Sequence, residues 1–468
     1  MLFTGSLLIS VLGILLILKR PQLLGVDSPD GYRKQHTKPI SRLGGLPIFI
    51  ALCSGFVVLA IRRPDFLGEW TPVIIGNVIV FGVGFLDDLH PLGARVKLLG
   101  QIGAALILYS LGLSIDNLSN PLGDGTMSLG WWSLPVTVLW LIAIPNIVNL
   151  IDGMDGLASG FGMFLCLTLA FIGHYTLKPD ISLVSTVMGG ALAGFLIFNF
   201  PPAKIFLGDG GAYLIGFFVA SVSLMSSNKG SIMASLLVVL IALGVPILDT
   251  AFAILRRAIR GVPIFRADAE HIHHRLITLG YSKGQALVGL YAVCLVLSLA
   301  GISILMTKGL AFPVVAALCF LLAVGAARYL GYIRSWANLR NQFREALQRR
   351  RVREYIRCHG TLLEMEVERC KTADEFVRLL EHSIGRLRLS KSPGPATEPV
   401  AIGSSGNKRL LLYQPAARDE SDEWVERVHA LDLAVMRAFE KWVDLPGFHC
   451  ISRSSPLPDH QPISDHVS

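Results

Sequence analysis

Eleven apolar runs fill the first 333 residues and leave few folds open. They cover approximately Leu2–Leu18, Leu46–Ile61, Pro72–Leu86, Leu98–Leu113, Trp132–Leu150, Leu157–Tyr175, Ile181–Phe198, Ala212–Met225, Ile232–Leu255, Ala286–Met306 and Ala311–Ile333. A bilayer crossing needs about 20 apolar residues in a helix, and several runs fall short of that, as short helices around a polar site do. The chain of 468 residues is 52% hydrophobic and only 16% charged, too apolar for a water-soluble protein of this length. The expected fold is therefore an all-α polytopic membrane protein with about 11 transmembrane helices. Leu2–Leu18 lacks a basic leader and a small-residue cleavage site, so it reads as a retained helix. Of the seven cysteines, Cys53, Cys166, Cys294 and Cys319 lie inside apolar runs, and no C-x-x-C signature exists. Neither a disulfide framework nor a cysteine-based metal site is expected.

An odd number of spans puts the two termini on opposite sides. One set of loops carries fifteen basic residues, among them Arg33, Lys34, Arg95, Lys97, Lys204, Arg256, Arg266 and Arg275. The other set carries five: Arg62, Arg63, Lys178, Lys229 and Lys308. The positive-inside bias assigns the first set, and the C-terminus, to the cytoplasm. Trp70, Trp131 and Trp132 fall at helix ends on the opposite side, where interfacial aromatics anchor. The unusual polar clusters all fall on the cytoplasmic side: Arg33-Lys34-Gln35-His36, Asp87-Asp88, Asn146–Asp155, Asn199–Asp209 and Asp268–Arg275. Five loops far apart in sequence are thus expected to share one membrane face.

Each cluster has a chemical and a plain reading. In N-I-V-N-L-I-D-G-M-D-G-L-A-S, Asn146, Asn149, Asp152 and Asp155 recur every third residue. That step stays on one helix face only if the turn tightens toward 3₁₀, and the two glycines suggest that the helix ends there. The stretch reads as a helix delivering two amides and two carboxylates to its mouth; the plain reading is a polar helix end with two Asp-Gly turns. Asp87 and Asp88 are adjacent carboxylates at a membrane surface, suited to a general base, a Mg²⁺ contact or both, or to a solvated helix end. Lys97 can bind phosphate there or snorkel. Phe206-Leu207-Gly208-Asp209-Gly210-Gly211 precedes a helix and can offer backbone N–H groups to phosphate, with Asp209 a hard oxygen ligand for Mg²⁺ and Phe206 a ring to stack a base; alone, G-D-G-G is more often a turn. His271, His273, His274 and Arg275 supply donors suited to phosphate better than a zinc ligand set. A lipid phosphate acceptor, a cytosolic nucleotide diphosphate donor and Mg²⁺ together account for all these parts, because phosphoryl transfer is largely positioning and charge neutralisation.

These motifs, in this order, resemble the polyprenyl-phosphate N-acetylhexosamine-1-phosphate transferases of glycosyltransferase family 4. The carrying segments are Asp87-Asp88, N-I-V-N-L-I-D-G-M-D-G-L-A, N-F-P-P-A-K-I-F-L-G-D-G-G and A-E-H-I-H-H-R-L. They are most similar to the bacterial undecaprenyl-phosphate N-acetylglucosaminyl-1-phosphate transferases that start O-antigen, enterobacterial common antigen or teichoic acid synthesis, and the resemblance covers about Leu2–Ile333. It implies Mg²⁺-dependent transfer (Mn²⁺ could substitute) of GlcNAc-1-phosphate from UDP-GlcNAc, or another UDP-HexNAc, to undecaprenyl phosphate, with release of UMP at the cytoplasmic face of the inner membrane. It implies Asp209 as the metal ligand. Asp87 and Asp88 would activate the lipid phosphate or organise the metal. Lys34 and Lys97 would bind phosphate. Asn149, Asp152 and Asp155 would hold the nucleoside end, with Phe206 on uracil and Asn199 supporting that pocket. His271, His273, His274 and Arg275 would face the sugar or diphosphate, His273 and His274 among the catalytic groups. G-D-G-G departs from the G-D-T-G or G-D-S-G frequent in the family and costs a hydroxyl near the metal.

Residues 1–333 are thus expected to form the transferase domain. Residues 334–453 are expected to form a small cytosolic α or α+β domain, and 454–468 a disordered tail. Within that region a basic helical stretch is expected over Asn341–Arg357, a helix opened by Thr372-Ala373-Asp374-Glu375, a linker over Ser390–Gly406, a strand at Arg409–Tyr413 and a helix over Glu423–Trp442. No nucleic-acid partner is expected, and a homodimer is compatible with the sequence. The rival of another class is a membrane transporter, which also buries acidic residues in broken helices. Acidic clusters at one face rather than the midplane, and no repeat halves, weigh against it.

Overall fold

The computed structural model describes residues 1–19, 26–27, 40–119, 125–226, 232–260 and 271–331, then scattered positions between 351 and 383, and 389–390, 400–405 and 408–415. The chain divides into two compact units, one made of Met1–Arg256 and Ile264–Arg334, the other of Arg257–Pro263 and Ser335–Ser468.

The first unit is a helix bundle. Its elements are α1 (Leu2–Leu18), α2 (Gly45–Arg62), α3 (Phe66–Leu89), α4 (Ala94–Ser110), α5 (Ser133–Ile151), α6 (Leu157–Tyr175), α7 (Pro179–Asn199) and α8 (Gly208–Met225), followed by α9 (Ile232–Ala242), α10 (Gly244–Arg260), α11 (Ile272–Thr278), α12 (Lys283–Met306) and α13 (Phe312–Tyr329). Two short antiparallel hairpins join helices: β1 (Val26–Asp27) with β2 (Ile40–Ser41), and β3 (Asn117–Ser119) with β4 (Thr126–Ser128). Every apolar run is helical. Among the described residues, eight helices are long and apolar enough to cross a membrane, and nine if the α9–α10 pair, bent by 66°, is one span. The count is lower than eleven for two reasons. α1 has only 17 residues, and α4 opens with Arg95, Lys97 and Gln101. The run Ile232–Leu255 is not one helix but two, broken at Leu243.

α8 is the centre and α13 the edge: 83% of the α8 span is buried inside the bundle, against 11% of α13. In a bilayer, helices associate through close packing rather than water exclusion, so small residues set the contacts. α8 meets α3, α5, α2 and α6. A Cβ on Gly84 of α3 would lie 2.6 Å from the Gly210 Cα, and one on Gly216 would lie 2.4 Å from the Pro145 Cα of α5. α7 packs between α6, α1 and α2, and α12 covers α9 and α6. At one end of the bundle Lys178 donates to the carbonyls of Met225 (3.0 Å) and Ser226 (2.9 Å), capping α8, and Arg63 pairs with Asp180 at the start of α7. Trp131 and Trp132 are exposed as anchors should be, but Trp70 is not. It is buried and stacks on Phe66 at 5.5 Å, because α3 begins a full turn earlier than its apolar run.

In the second unit, β5 (Leu389–Ser390), β6 (Val400–Ser405) and β7 (Lys408–Pro415) form an antiparallel sheet in the order β5-β7-β6. β7 contains the expected strand. β6 corrects the linker expected over Ser390–Gly406: Val400 and Ile402 pair with Tyr413 and Leu411 of β7. The expected elements at 341–350, 372–374 and 423–442, and the C-terminal tail, lie outside the described residues.

Because α8 touches α5 backbone to backbone at Gly216, a side chain there has no room. Gly216→Ala should cost about 1–3 kcal/mol through overpacking, and Gly216→Val should abolish folded protein in detergent, read by thermal unfolding and size-exclusion profile.

Candidate active site

The end of the bundle opposite Lys178 collects the polar residues. α3 ends at Asp87-Asp88, α4 begins at Lys97, α5 ends at Asn149, and α8 begins at Asp209. Asp209 ties them together. Its Oδ2 receives Lys97 Nζ at 2.8 Å, its Oδ1 receives Asn149 Nδ2 at 3.0 Å, and its backbone N–H donates to Asp88 Oδ1 at 2.8 Å. Lys97, only 20% exposed, also reaches Asp87 Oδ2 at 3.2 Å. Asp88 Oδ2 takes the Gly210 N–H at 2.9 Å, so both its oxygens cap α8. A carboxylate there satisfies orphan N–H groups and complements the helix dipole. Gly208, at φ +75°, makes the turn: a Cβ would lie 2.2 Å from the Arg42 carbonyl. Residues 206 and 207 pair with the start of α2 through Phe206 N–H to Ser41 O (2.8 Å) and Gly45 N–H to Leu207 O (2.9 Å).

α5 stops at Ile151, so Asn149 lies on the helix while Asp152 and Asp155 lie on the turn before α6. Asn146 does not reach the mouth. It turns inward and donates to Gln101 Oε1 at 2.6 Å, one turn deeper on α4 and α5 than Lys97 and Asn149. Asp155 Oδ2 accepts the Ala203 N–H at 3.2 Å. Asp152 receives no side-chain hydrogen bond or ion pair among the described residues. Burial, then the charges of Asp209, Asp88 and Asp155, push its carboxyl well above the usual carboxylate range. Such a crowded acidic group calls for a cation. No three His, Cys, Asp or Glu side chains among the described residues form a preformed metal cage. The donor set fits Mg²⁺ shared with phosphate oxygens, which takes only one or two carboxylates; Asp209 and Asp152 are the candidates.

The histidines meet the same turn from the other side. His273 is 3% exposed and lies 3.3 Å from where a Cβ on Gly153 would stand. Its ring is parallel to that of His271 at 5.8 Å and tilted against His274 at 4.3 Å. Its Nε2 is buried with no hydrogen-bond partner among the described residues. Burial and the neighbouring His274 lower its pKa to about 4. It is therefore a neutral hydrogen-bonding group at pH 7, not a cation for phosphate.

Two of the expected site residues bond to the protein itself. Asn199 is buried: its Oδ1 accepts from the Gly156 N–H (2.9 Å) and Ser159 Oγ (3.0 Å), and its Nδ2 donates to Ile205 O (2.9 Å). It fastens α6 to α7. Arg275 Nη1 donates to the Leu330 carbonyl at 3.0 Å, capping the end of α13. Phe206 is half-buried beside Leu207, and Lys34 lies outside the described residues. Two polar partners were not anticipated. Gln101, fully buried, stands four residues after Lys97 on the same face of α4. Asp249 holds His271; a lone acid in the apolar stretch G-V-P-I-L-D-T was the available signal.

Comparison with known proteins identifies the family. The profile of glycosyl transferase family 4 matches residues 70–227, which span α3 to α8. The chain belongs to this family. It is 39% identical over 297 residues to a probable undecaprenyl-phosphate N-acetylglucosaminyl 1-phosphate transferase of Bacillus subtilis, covering 63% of this chain and 82% of the relative. It is 32% identical to a decaprenyl-phosphate N-acetylglucosaminephosphotransferase of Mycobacterium tuberculosis (57% and 73% covered). It is 30% identical to a phospho-N-acetylmuramoyl-pentapeptide-transferase of Shouchella clausii (61% and 89%).

The buried His273 also sets a pH dependence. Unfolded, it titrates near its ordinary value of 6.5; folded, near 4. Between these values the unfolded chain binds the extra proton, so stability falls as pH drops from 6.5 to 4. The thermal midpoint should decline over that window, and His273→Gln should flatten the decline.

Proposed function

We propose that the chain transfers GlcNAc-1-phosphate from UDP-GlcNAc to undecaprenyl phosphate, releasing UMP. The observation that carries this reading is the Lys97–Asp209–Asn149 node beside the uncompensated Asp152, at one end of a membrane bundle. The names of the B. subtilis and M. tuberculosis relatives support the same reaction. An oxygen of the lipid phosphate attacks the β-phosphorus of the UDP-sugar. The bond from that phosphorus to the bridging oxygen breaks, and the oxygen leaves with UMP. Bound Mg²⁺ would neutralise diphosphate charge and polarise the bond to the leaving group. Lys97 supplies a fixed positive charge between Asp87 and Asp209, and Asn149 orients Asp209. Asp152, on the glycine-flanked turn, adds its carboxyl beside those of Asp209, Asp88 and Asp155. The neutral His273 donates or accepts a hydrogen bond where backbone at Gly153 comes close.

In this reading the chain crosses the cytoplasmic membrane eleven times, with α1, α4 and the bent pair among the crossings and the site on the cytoplasmic side. The clustering of Asp87, Lys97, Asn149 and Asp209 at one end supports a single reacting face. The sequence beyond Arg357 lies outside the site residues, so a chain ending there should keep transferase activity once inserted; an inserted but inactive truncation would assign the second unit a part in the site.

The central test is Asp209→Asn. Asn keeps an acceptor for Asn149, and Lys97 keeps Asp87, so the fold should survive. UMP release from UDP-GlcNAc and undecaprenyl phosphate should fall by at least about 10²-fold, the scale set by removing one electrostatic stabiliser, at any Mg²⁺ concentration. Near-normal turnover with unchanged Mg²⁺ dependence would sink the metal assignment. A panel of UDP-HexNAc donors read by the lipid product fixes the sugar.

A further inference from the structure

Asp249 lies on α10, six residues past the break that separates it from α9. It is 4% exposed, deep in a bundle where an unpaired carboxylate would be costly. Its two oxygens have two partners. Oδ2 is 2.9 Å from His271 Nδ1, and Oδ1 accepts the Ile272 N–H at 2.8 Å. It thus grips both the first backbone donor of α11 and the ring of the residue that precedes it. His271 Nε2 makes no hydrogen bond among the described residues. Asp249 and His273 line one small cavity with Ile151, Val245, Ile272 and Leu290, and that cavity reaches the end of α5.

A carboxylate only accepts, so the hydrogen between Asp249 and His271 belongs to Nδ1. That places a hydrogen on Nδ1, so the neutral ring is the Nδ1–H tautomer, whose Nε2 carries the lone pair. The same grip holds the start of α11, and with it His273 against Gly153. We propose that Asp249 is a positioning residue for the transfer reaction: it sets the tautomer of His271 and the placement of the α11 histidines, so that His271 Nε2 is the acceptor offered to the substrate. This rests on the transferase reading given above.

The substitution that separates positioning from packing is Asp249→Asn. Asn is the same size, and its Oδ1 can still accept from Ile272. Its Nδ2, however, donates to His271 Nδ1 and drives the hydrogen to Nε2, which then cannot accept. In a triad where a carboxylate fixes a histidine this way, the same exchange leaves the geometry intact and removes most of the rate. Four proteins are compared: wild type, Asp249→Asn, His271→Gln and the double variant. UMP release gives kcat and the KM for UDP-GlcNAc, and thermal unfolding reports the fold. Asp249→Asn should lower kcat by about 10–100-fold, with KM and midpoint near wild type. It should cost nothing further in the His271→Gln background, since residues acting as one unit are not additive. A wild-type kcat in Asp249→Asn, or a loss that multiplies in full on top of His271→Gln, would overturn the proposal.

Two further measurements keep the outcome decisive. If Asp249→Asn does not fold, Asp249→Glu retains the carboxylate and should hold the Nδ1–H tautomer and regain part of the rate; a folded Asp249→Glu with the opposite tautomer counts against the proposal. Nitrogen-15 spectra of labelled histidine in the wild-type protein read the tautomer with no substrate present. A protonated Nδ1 and a bare Nε2 on His271 are expected, and the reverse refutes the assignment. Because that spectrum does not depend on turnover, a protein that releases no UMP would defeat the transferase reading while the tautomer still reports on Asp249.

Discussion

One carboxylate at the start of the most buried helix holds three chain segments in register. Asp209 accepts from Lys97 and Asn149, while its own N–H and that of Gly210 are received by Asp88. None of these contacts is possible unless α3 and α8 approach at glycine, since Gly84 and Gly210 meet with no room for a Cβ. The close approach puts Asp88 within reach of the first N–H groups of α8, where a negative charge is favoured. That frees the opposite side of Asp209 for Lys97 and Asn149. Packing of small residues in the membrane and assembly of the polar end are therefore one event, not two.

The polar end is layered. Lys97 and Asn149 form the outer tier on Asp209; Gln101 and Asn146, four and three residues deeper on the same helices, hydrogen-bond to each other. That bond between two amides fixes how α4 and α5 meet, while Gln101 Nε2 is buried without a hydrogen bond among the described residues. Asp152 is the opposite case. It stands among three other carboxylates with no hydrogen bond or ion pair among the described residues, which is poor for stability and suited to a cation or a phosphate-bound metal. Sites that violate the stability rules while their surroundings obey them are where chemistry is expected, and here the violation sits on a turn with backbone close by at Gly153.

Most of the helices were legible in the sequence, because a membrane span is written as an uninterrupted apolar run. The convergence of Asp87, Lys97, Asn149 and Asp209 was legible too, from loops that alternate across a bilayer. What failed to show were choices made by individual side chains. Asn199 and Arg275 sit in motifs that read as substrate-facing, yet each satisfies backbone groups at a helix end, a local competition that spacing does not reveal. Asn146 shares a three-residue step with Asn149 but faces a different neighbour, because three residues on an α-helix turn the side chain by about 300°. The break between α9 and α10 hides in continuous apolar character. Asp249 was hidden by the same run, its partner being 22 residues away in sequence. The strand β6 was obscured by the glycines and serines around it.

α8 is fastened at both ends: Asp88 holds its first N–H groups, and Lys178 holds the carbonyls of Met225 and Ser226. A rod clamped at both tips and surrounded along its length can neither slide nor tilt without breaking charged contacts at one end. It is the stator of this bundle. The histidines are held by a separate clamp: the seven-residue α11 is fixed at its start by Asp249, and His273 lies against the turn at Gly153.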